Sequence, residues 1–219
     1  MFVGHFAVGL AAKKAAPKTS LGTLILSVQL VDLLWPLFLI LGLEHVRIHP
    51  GDTAFTPLEF YDYPISHSLL MVAVWGVVSG VVYFMIRHYA RGAWIVGAGV
   101  ISHWLLDYVT HRPDLPLMPG QTATVGLGLW NSVPATVLVE GLLFILAVVV
   151  YLRSTEATDR TGRIAFWAFV GLLVLLSVGN VIGAAPPNEG VIGWVGLATW
   201  LFVPWGYWID RHRKMRAVP

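Results

Sequence analysis

Six long apolar stretches constrain this chain more than any other feature of its sequence. They cover residues 21–43, 67–86, 93–109, 133–152, 164–185 and 191–209. Each has about the length that an α-helix needs to cross roughly 30 Å of hydrocarbon. Charged residues make up only 12% of the 219, about half the share found in soluble domains. The sequence therefore predicts an all-α fold: a polytopic membrane helical bundle of six transmembrane helices in a single domain.

A seventh apolar stretch, residues 1–12, is too short to span a membrane. It lacks the basic start and the small-residue cleavage site of a signal peptide. Only His5 could provide a polar face, so a helix lying flat on the membrane surface is disfavoured. We expect a half-helix over residues 2–12 that enters the bundle, points His5 at a polar site, and turns at Pro17 into the first span.

The basic residues indicate how the chain is oriented in the membrane. Twelve of the 14 lie on one side of the six predicted spans, and only Arg47 and Arg112 lie on the other. The positive-inside rule then places both termini in the cytoplasm. A net charge of +2 gives no reason to expect a nucleic-acid partner, and the absence of cysteine excludes disulfides and thiolate ligands. The expected surroundings are a lipid bilayer.

Reporter fusions test this orientation directly. Fusions placed after Lys14, Arg91, Arg160 and Arg216 are all expected to report the cytoplasmic side, because each position adjoins the basic residues of that side. A fusion at any of these positions that reports the opposite side would contradict the assignment.

Four ionisable residues, Asp32, His103, Asp107 and Glu140, interrupt the apolar spans. A charge within a bilayer is costly, so such residues usually face a bundle interior and serve a function. His103 and Asp107 are four residues apart and share one helix face. Imidazole and carboxylate on one face are suitable ligands for Zn²⁺ or Mn²⁺.

Helical rise from the nearest basic residues gives each polar residue an approximate depth. At about 1.5 Å per residue, the estimates run from His5 at ~12 Å, through Asp32 and His103 at ~18 Å, Glu140 at ~20 Å and Asp107 at ~24 Å, to His67 and His111 at ~30 Å. This range predicts a polar funnel that opens on the outer side.

Two residues near the funnel leave alternatives open. Glu140 could be a metal ligand or a carboxylate that orients a histidine. Arg112 could hold an anionic head group or could equally face lipid at the interface. His45 and His49, which flank Arg47 in a loop, are expected to be solvated.

Several short motifs resemble the LexA-regulated inner-membrane metal-dependent hydrolase family. They are Gly4-His5 followed by Gly9, Asp32 in the first span, Ser-His-Ser at residues 66–68, and Ser-His-x-x-x-Asp-x-x-Thr at residues 102–110. The resemblance covers roughly the first 140 residues. It implies a prokaryotic inner-membrane location, a hydrolase activity and a metal site built from residues 1–140, with two further spans in residues 160–219.

The order of these residues is also distantly similar to the metal ligands of zinc-dependent phospholipases C and zinc single-strand nucleases. That similarity implies one ion held by Asp32, His67, His103 and Asp107, a second near Asp107 and His5, and a further ion at His111 and Glu140. Met1 stands where those enzymes have a tryptophan whose amine is a ligand, and a later His-rich stretch is missing. One or two ions, zinc with manganese as the alternative, is therefore the expectation.

These observations predict a membrane-embedded hydrolase that acts on a phosphate ester of an amphiphilic or lipid substrate. A bound metal would activate water, and Asp107 or Glu140 would accept its proton. The alternative is a divalent-metal or proton-coupled transporter, since membrane acids and histidines also build ion pathways. Transporters usually show two related halves, which are not visible in this sequence. A scaffold whose polar residues only join helices is a third interpretation.

Overall fold

The computed structural model describes residues 1–216, and most of them are helical. The helices are α1 Val3–Ala15, α2 Leu21–Ile40, α3 Pro64–His67, α4 Leu69–Arg87, α5 Ala90–Thr110, α6 Val133–Ser154, α7 Arg160–Ile182, α8 Glu189–Leu197 and α9 Phe202–Arg211. Three antiparallel strand pairs join loops: β1 His45–Ile48 with β2 Leu58–Asp62, β3 Leu115–Pro116 with β4 Thr124–Val125, and β5 Thr155–Ala157 with β6 Arg213–Met215. The predicted all-α class is consistent with this architecture.

Within residues 1–216, four helices are long and apolar enough to cross a membrane, so the predicted number of six spans is wrong. The four are α2, α4, α6 and α7. Helix α5 is 21 residues long, but it carries Arg91, His103 and Asp107 and is less apolar than the four. The last predicted span is divided into α8, a 3₁₀ turn at Ala198–Leu201 and α9, and neither helix is long enough alone.

The outer faces of the long helices are apolar and exposed. Only 11% of the most apolar 18-residue window of α4 is buried inside the protein. Exposed residues include Val77, Val81 and Met85 on α4 and Leu142 and Leu146 on α6. An apolar surface of this extent is unusual for a soluble monomer and suits contact with lipid chains.

Helix α1 lies at the centre of the bundle and packs against α2, α5 and α6. It is longer than the predicted half-helix of residues 2–12, because the helix continues to Ala15. Lys13 is buried and its Nζ lies 2.7 Å from Asp210 Oδ1. This ion pair neutralises Lys13 within the protein, at the end of the bundle where α9 lies.

Helices α4 and α5 approach each other through small residues. A Cβ atom added to Gly97 would lie 3.0 Å from the Gly76 carbonyl oxygen, and one added to Gly76 would lie 3.0 Å from the Gly97 carbonyl oxygen. A Cβ atom added to Gly80 would likewise lie 3.0 Å from the Ala93 carbonyl oxygen. Small residues on facing helices allow the backbones to meet, which stabilises pairs of membrane helices. This contact places α5, and the polar residues that it carries, against the rest of the bundle.

We expect Gly97→Leu to destabilise the protein by about 1–3 kcal/mol, because the larger side chain must push α4 and α5 apart. Thermal unfolding in detergent, followed by circular dichroism, measures the effect. The matched control is Ala98→Leu, which adds a leucine to the exposed neighbouring position. Equal midpoints for the two variants would contradict the packing role of Gly97.

Candidate metal centre

Ligand-type side chains from four helices converge inside the bundle. They are His5 on α1, Asp32 on α2, His67 on α3, and His103 and Asp107 on α5. Two groups share His103: one joins it to His5 and Asp107, and the other joins it to Asp32 and His67. In each group, one donor atom from every residue lies within 4.8 Å of the others. The depth estimates, from ~12 Å for His5 to ~30 Å for His67, spread more widely than these donor atoms do, because helical rise locates the backbone and not the ends of the side chains.

The orientation of His103 depends on a close approach between α2 and α5. A Cβ atom on Gly99 would lie only 2.6 Å from Ser27 Oγ, so glycine allows the two backbones to come together one turn before His103. His103 Nδ1 then lies 2.8 Å from the Val28 carbonyl oxygen. A carbonyl can only accept, so Nδ1 carries the proton. This leaves Nε2 on the side of the two carboxylates, 3.1 Å from Asp107 Oδ2 and 3.5 Å from Asp32 Oδ1.

His67 is oriented by a buried chain of hydrogen bonds. Ser66 Oγ donates to Glu44 Oε2 at 2.6 Å and lies 2.6 Å from His67 Nδ1. Because the serine proton is used on Glu44, Nδ1 must donate to Ser66. The other ring nitrogen of His67, Nε2, then lies 3.4 Å from Asp32 Oδ1. Pro64 begins this short helix and Ser68 caps the next one, so the turn presents His67 to the interior.

Glu44 is the functional candidate that the sequence reasoning missed. Its Oε1 accepts hydrogen bonds from the backbone N–H groups of Ile65 and Ser66, both at 2.7 Å, and its side chain is buried. Glu44 hydrogen bonds to Ser66, which in turn contacts His67. A carboxylate behind a ligand histidine commonly fixes the imidazole ring and raises its basicity. Glu44 lies 22 residues from Ser66 at the end of an apolar stretch, so the sequence alone resembles an ordinary loop acid.

Asp107 and His5 complete the cluster. Asp107 Oδ1 accepts a hydrogen bond from the amino nitrogen of Met1 and lies 3.1 Å from His5 Nε2. The His5 ring stacks on His103, with centroids 3.7 Å apart and planes 3° from parallel. Asp32 is the most accessible member, since a third of its side chain is exposed. Asp107 is therefore the buried carboxylate of the cluster, and Asp32 is the partly exposed one.

Unpartnered buried atoms indicate that these residues fit a divalent metal. His103 Nε2 and His5 Nδ1 are buried without a hydrogen-bond partner, although His103 Nε2 is close to two carboxylates. Its short contacts lack the angles of a hydrogen bond. Imidazole nitrogens and carboxylate oxygens are the zinc ligands expected in a cysteine-free protein, and each histidine that has an oriented Nδ1 offers its Nε2.

Glu140 lies next to the cluster but outside both donor groups. Its Oε2 accepts hydrogen bonds from the backbone N–H groups of Phe2 and Gly4, at 2.9 and 3.3 Å, and so caps the start of α1. Its Oε1 is buried and without a partner. This geometry favours the alternative in which Glu140 positions a ligand-bearing element, here the helix that carries His5.

His111 and Arg112 lie at the loop side of the site. His111 Nδ1 donates to Asp114 Oδ1 at 2.9 Å, and the ring packs 4.2 Å from Trp130. Arg112 pairs with Asp52 at 2.9 Å and with Asp114 at 3.2 Å. Burial raises the pKa of the Asp52 carboxyl, and the Arg112 guanidinium opposes that rise. The structure does not bring either His111 or Arg112 into the donor groups.

A cavity of about 350 Å³ opens above the cluster. Asp32, His67 and Asp107 lie on its floor, and His111 lies in its wall. Aromatic residues Trp35, Phe60 and Trp130 and loop residues 55–58 form much of the remaining lining. An apolar cavity with a few convergent polar groups is the usual form of a small-molecule site.

Removing the partners of His67 should weaken metal binding without removing a ligand. We expect Glu44→Gln and Ser66→Ala each to lower zinc affinity roughly 10–100-fold, because His67 loses its fixed orientation. Titration with a chromophoric zinc chelator measures the affinity of purified protein. Glu59→Gln, which changes a carboxylate of β2 paired with Arg47, is the matched control. Unchanged affinity in both site variants would show that the hydrogen-bond chain does not support a metal.

Comparisons with known proteins address the family of the chain. None of the curated proteins or solved structures compared with it matches. Residues 63–185 match the YdjM inner membrane protein family. The matched segment includes His67, His103, Asp107, His111 and Glu140, while His5 and Asp32 lie before it. Because the match covers more than half of the 219 residues, the chain belongs to the YdjM inner membrane protein family.

Proposed function

We propose that this inner membrane protein is a metal-dependent hydrolase that cleaves a phosphate ester of an amphiphilic or lipid substrate. The observation that carries the proposal is the pair of donor groups joined by His103 at the floor of the cavity. Three imidazoles and two carboxylates converge in one cluster, and all but Asp32 are buried. The amino group of Met1 offsets one carboxylate, and a divalent cation would satisfy the remaining carboxylate and the imidazole lone pairs.

His5, Asp32, His67, His103 and Asp107 would hold one or two divalent ions, with zinc favoured by the three imidazoles. When bound, such an ion lowers the pKa of water and polarises a phosphoryl oxygen. The Val28 carbonyl and the chain from Glu44 through Ser66 keep His103 and His67 in place. These groups supply preorganisation and take no part in bond breaking.

Asp32 is the residue best placed to accept a proton. Its carboxylate is the most exposed in the cluster and lies on the cavity floor, whereas Asp107 is almost fully buried beneath it. Glu140 is engaged with the start of α1. In the hydrolysis, the oxygen of water bonds to phosphorus, the ester oxygen leaves, and a proton passes from the water to that leaving oxygen. Asp32 would relay this proton.

The proposal includes an orientation in which the termini are cytoplasmic and the cavity opens on the outer side. Loop residues 55–58 and Trp130 line one cavity, because the packed pair α4 and α5 leads the chain away from that side and back to it. On the other side of the cluster, Phe6, Leu10 and Phe169 belong to a packed apolar core. A transporter needs access from both sides, so a second cavity of about 630 Å³, lined by Lys18, Ser27 and Asp210, would have to connect with the cluster.

Hydrolysis by purified protein tests the proposal. Zinc-loaded protein in nanodiscs should release product from at least one member of a panel of phosphate monoester and diester lipids, measured by mass spectrometry. A chelator should abolish release and added Zn²⁺ should restore it. Asp32→Asn should lower the rate by at least about 100-fold, since it removes a proton acceptor that is also one of the five candidate ligands.

The matched control is Asp62→Asn, which removes a half-exposed carboxylate at the end of β2 that is paired with His45. It should keep the wild-type rate. Hydrolysis of a carboxylate ester lipid included in the same panel would show that the protein cleaves a different type of ester bond. Zinc uptake into proteoliposomes without hydrolysis of any ester would overturn the proposal in favour of transport.

A further inference from the structure

Helices α6 and α7 meet at one end and separate at the other. Tyr151 and Phe166 stack with centroids 4.9 Å apart near the β5 connection. Toward the opposite ends of the helices, a groove of about 390 Å³ opens between them. Its walls include Val137, Gly141 and Ile145 of α6 and Val174 and Val178 of α7. The groove is therefore a lateral opening between two helices that are each long and apolar enough to span the membrane.

The surface of this groove is apolar even where its residues are polar. Ser177 Oγ donates to the Leu173 carbonyl within α7, and Thr136 Oγ1 donates to the carbonyls of Leu129 and Ser132. Both hydroxyl groups are thereby satisfied by nearby backbone. A Cβ atom added to Gly141 would meet nothing within 4 Å. The groove has room for a chain of methylene groups, and the other polar residues of its lining are Glu140 and Asn180.

The groove adjoins the cavity above the candidate metal centre. Phe2, Phe55 and Asn180 line both spaces. Glu140, at the inner end of the groove, holds the start of α1 and thus stands between the groove and His5. A molecule that lay in the groove and passed Phe2, Phe55 and Asn180 would enter the cavity, which is lined by Asp32 and His67.

We propose that the groove holds one fatty acyl chain of a glycerophospholipid, with the phosphate of that lipid in the cavity. This inference rests on the proposed function, because it names the substrate class for the same site. Acyl chains are the bulk component of the bilayer that the groove opens onto. Lipid tails are as apolar as the groove, so moving an acyl chain from the bilayer into the groove releases little free energy. Its effect is to position the ester over Asp32 and His67.

Photo-crosslinking tests the groove independently of hydrolysis. The probe is phosphatidic acid with a diazirine in its acyl chain, in nanodiscs that contain the zinc-loaded protein. Labels are expected on Val137, Val174 and Val178 in preference to the exposed face of α4. Gly141→Trp should lower this labelling at least about tenfold by filling the groove, and Val178→Phe should do so from the other wall. Leu146→Trp, an exposed α6 position outside the groove, should not.

The same variants link the groove to catalysis. Gly141→Trp should lower kcat/KM for a long-chain lipid substrate by about tenfold, since misplacing the ester is costly, and should leave a short-chain water-soluble analogue unaffected. Uniform labelling of all exposed faces, or labelling by an isoprenoid probe alone, would overturn the acyl-chain assignment. Groove labelling that persists in Asp32→Asn, together with an absence of hydrolysis in wild type, would support the groove and overturn the proposed function.

Discussion

Burial of imidazole and carboxylate groups within an apolar helical bundle is the constraint that shapes the structure. Water is scarce there, so each polar atom needs a partner supplied by the protein. His103 finds one in the Val28 carbonyl, and His67 finds one in Ser66, which is itself held by Glu44. Each partner uses one ring nitrogen and directs the other at the same small volume. The hydrogen bonds that make burial tolerable also preorganise the candidate ligands.

The central position of α1 follows from small residues that let it approach its neighbours. A Cβ atom on Gly9 would lie 3.0 Å from Val28 Cγ2, so glycine permits close contact with α2 at the level of the residue that orients His103. The start of the same helix is held by Glu140. His5 is thereby stacked on His103 and brought to Asp107. A helix too short to span a membrane serves here as the core around which longer helices pack.

The sequence allowed the all-α class and the membrane location to be predicted, because apolar stretches and the cost of intramembrane charge are local properties. The same cost identified Asp32, His103 and Asp107 as candidates. The partners could not be predicted, since Val28 and His103 are 75 residues apart and no local pattern joins them. The depth estimates spread more widely than the donor atoms do, because helical rise locates the backbone and not the ends of the side chains that meet. The span number failed because α5 combines length with polar residues that only the folded bundle accommodates.

The two ends of the bundle differ in how tightly they are closed, and this difference explains the position of the cluster. At the β5–β6 end, Arg213 lies about 5 Å from the rings of Tyr151 and Phe166 and hydrogen bonds to Thr155, which holds α6 and α7 together. At the other end the same helices separate and leave the lateral groove. The cavity reaches the loops on one side, and the groove reaches the lipid-facing surface on another. A cluster placed where these two spaces meet is accessible to water from the loops and to hydrocarbon from the bilayer. A site that hydrolyses an amphiphile requires both routes of access, which ties the packing of α6 and α7 to the proposed chemistry.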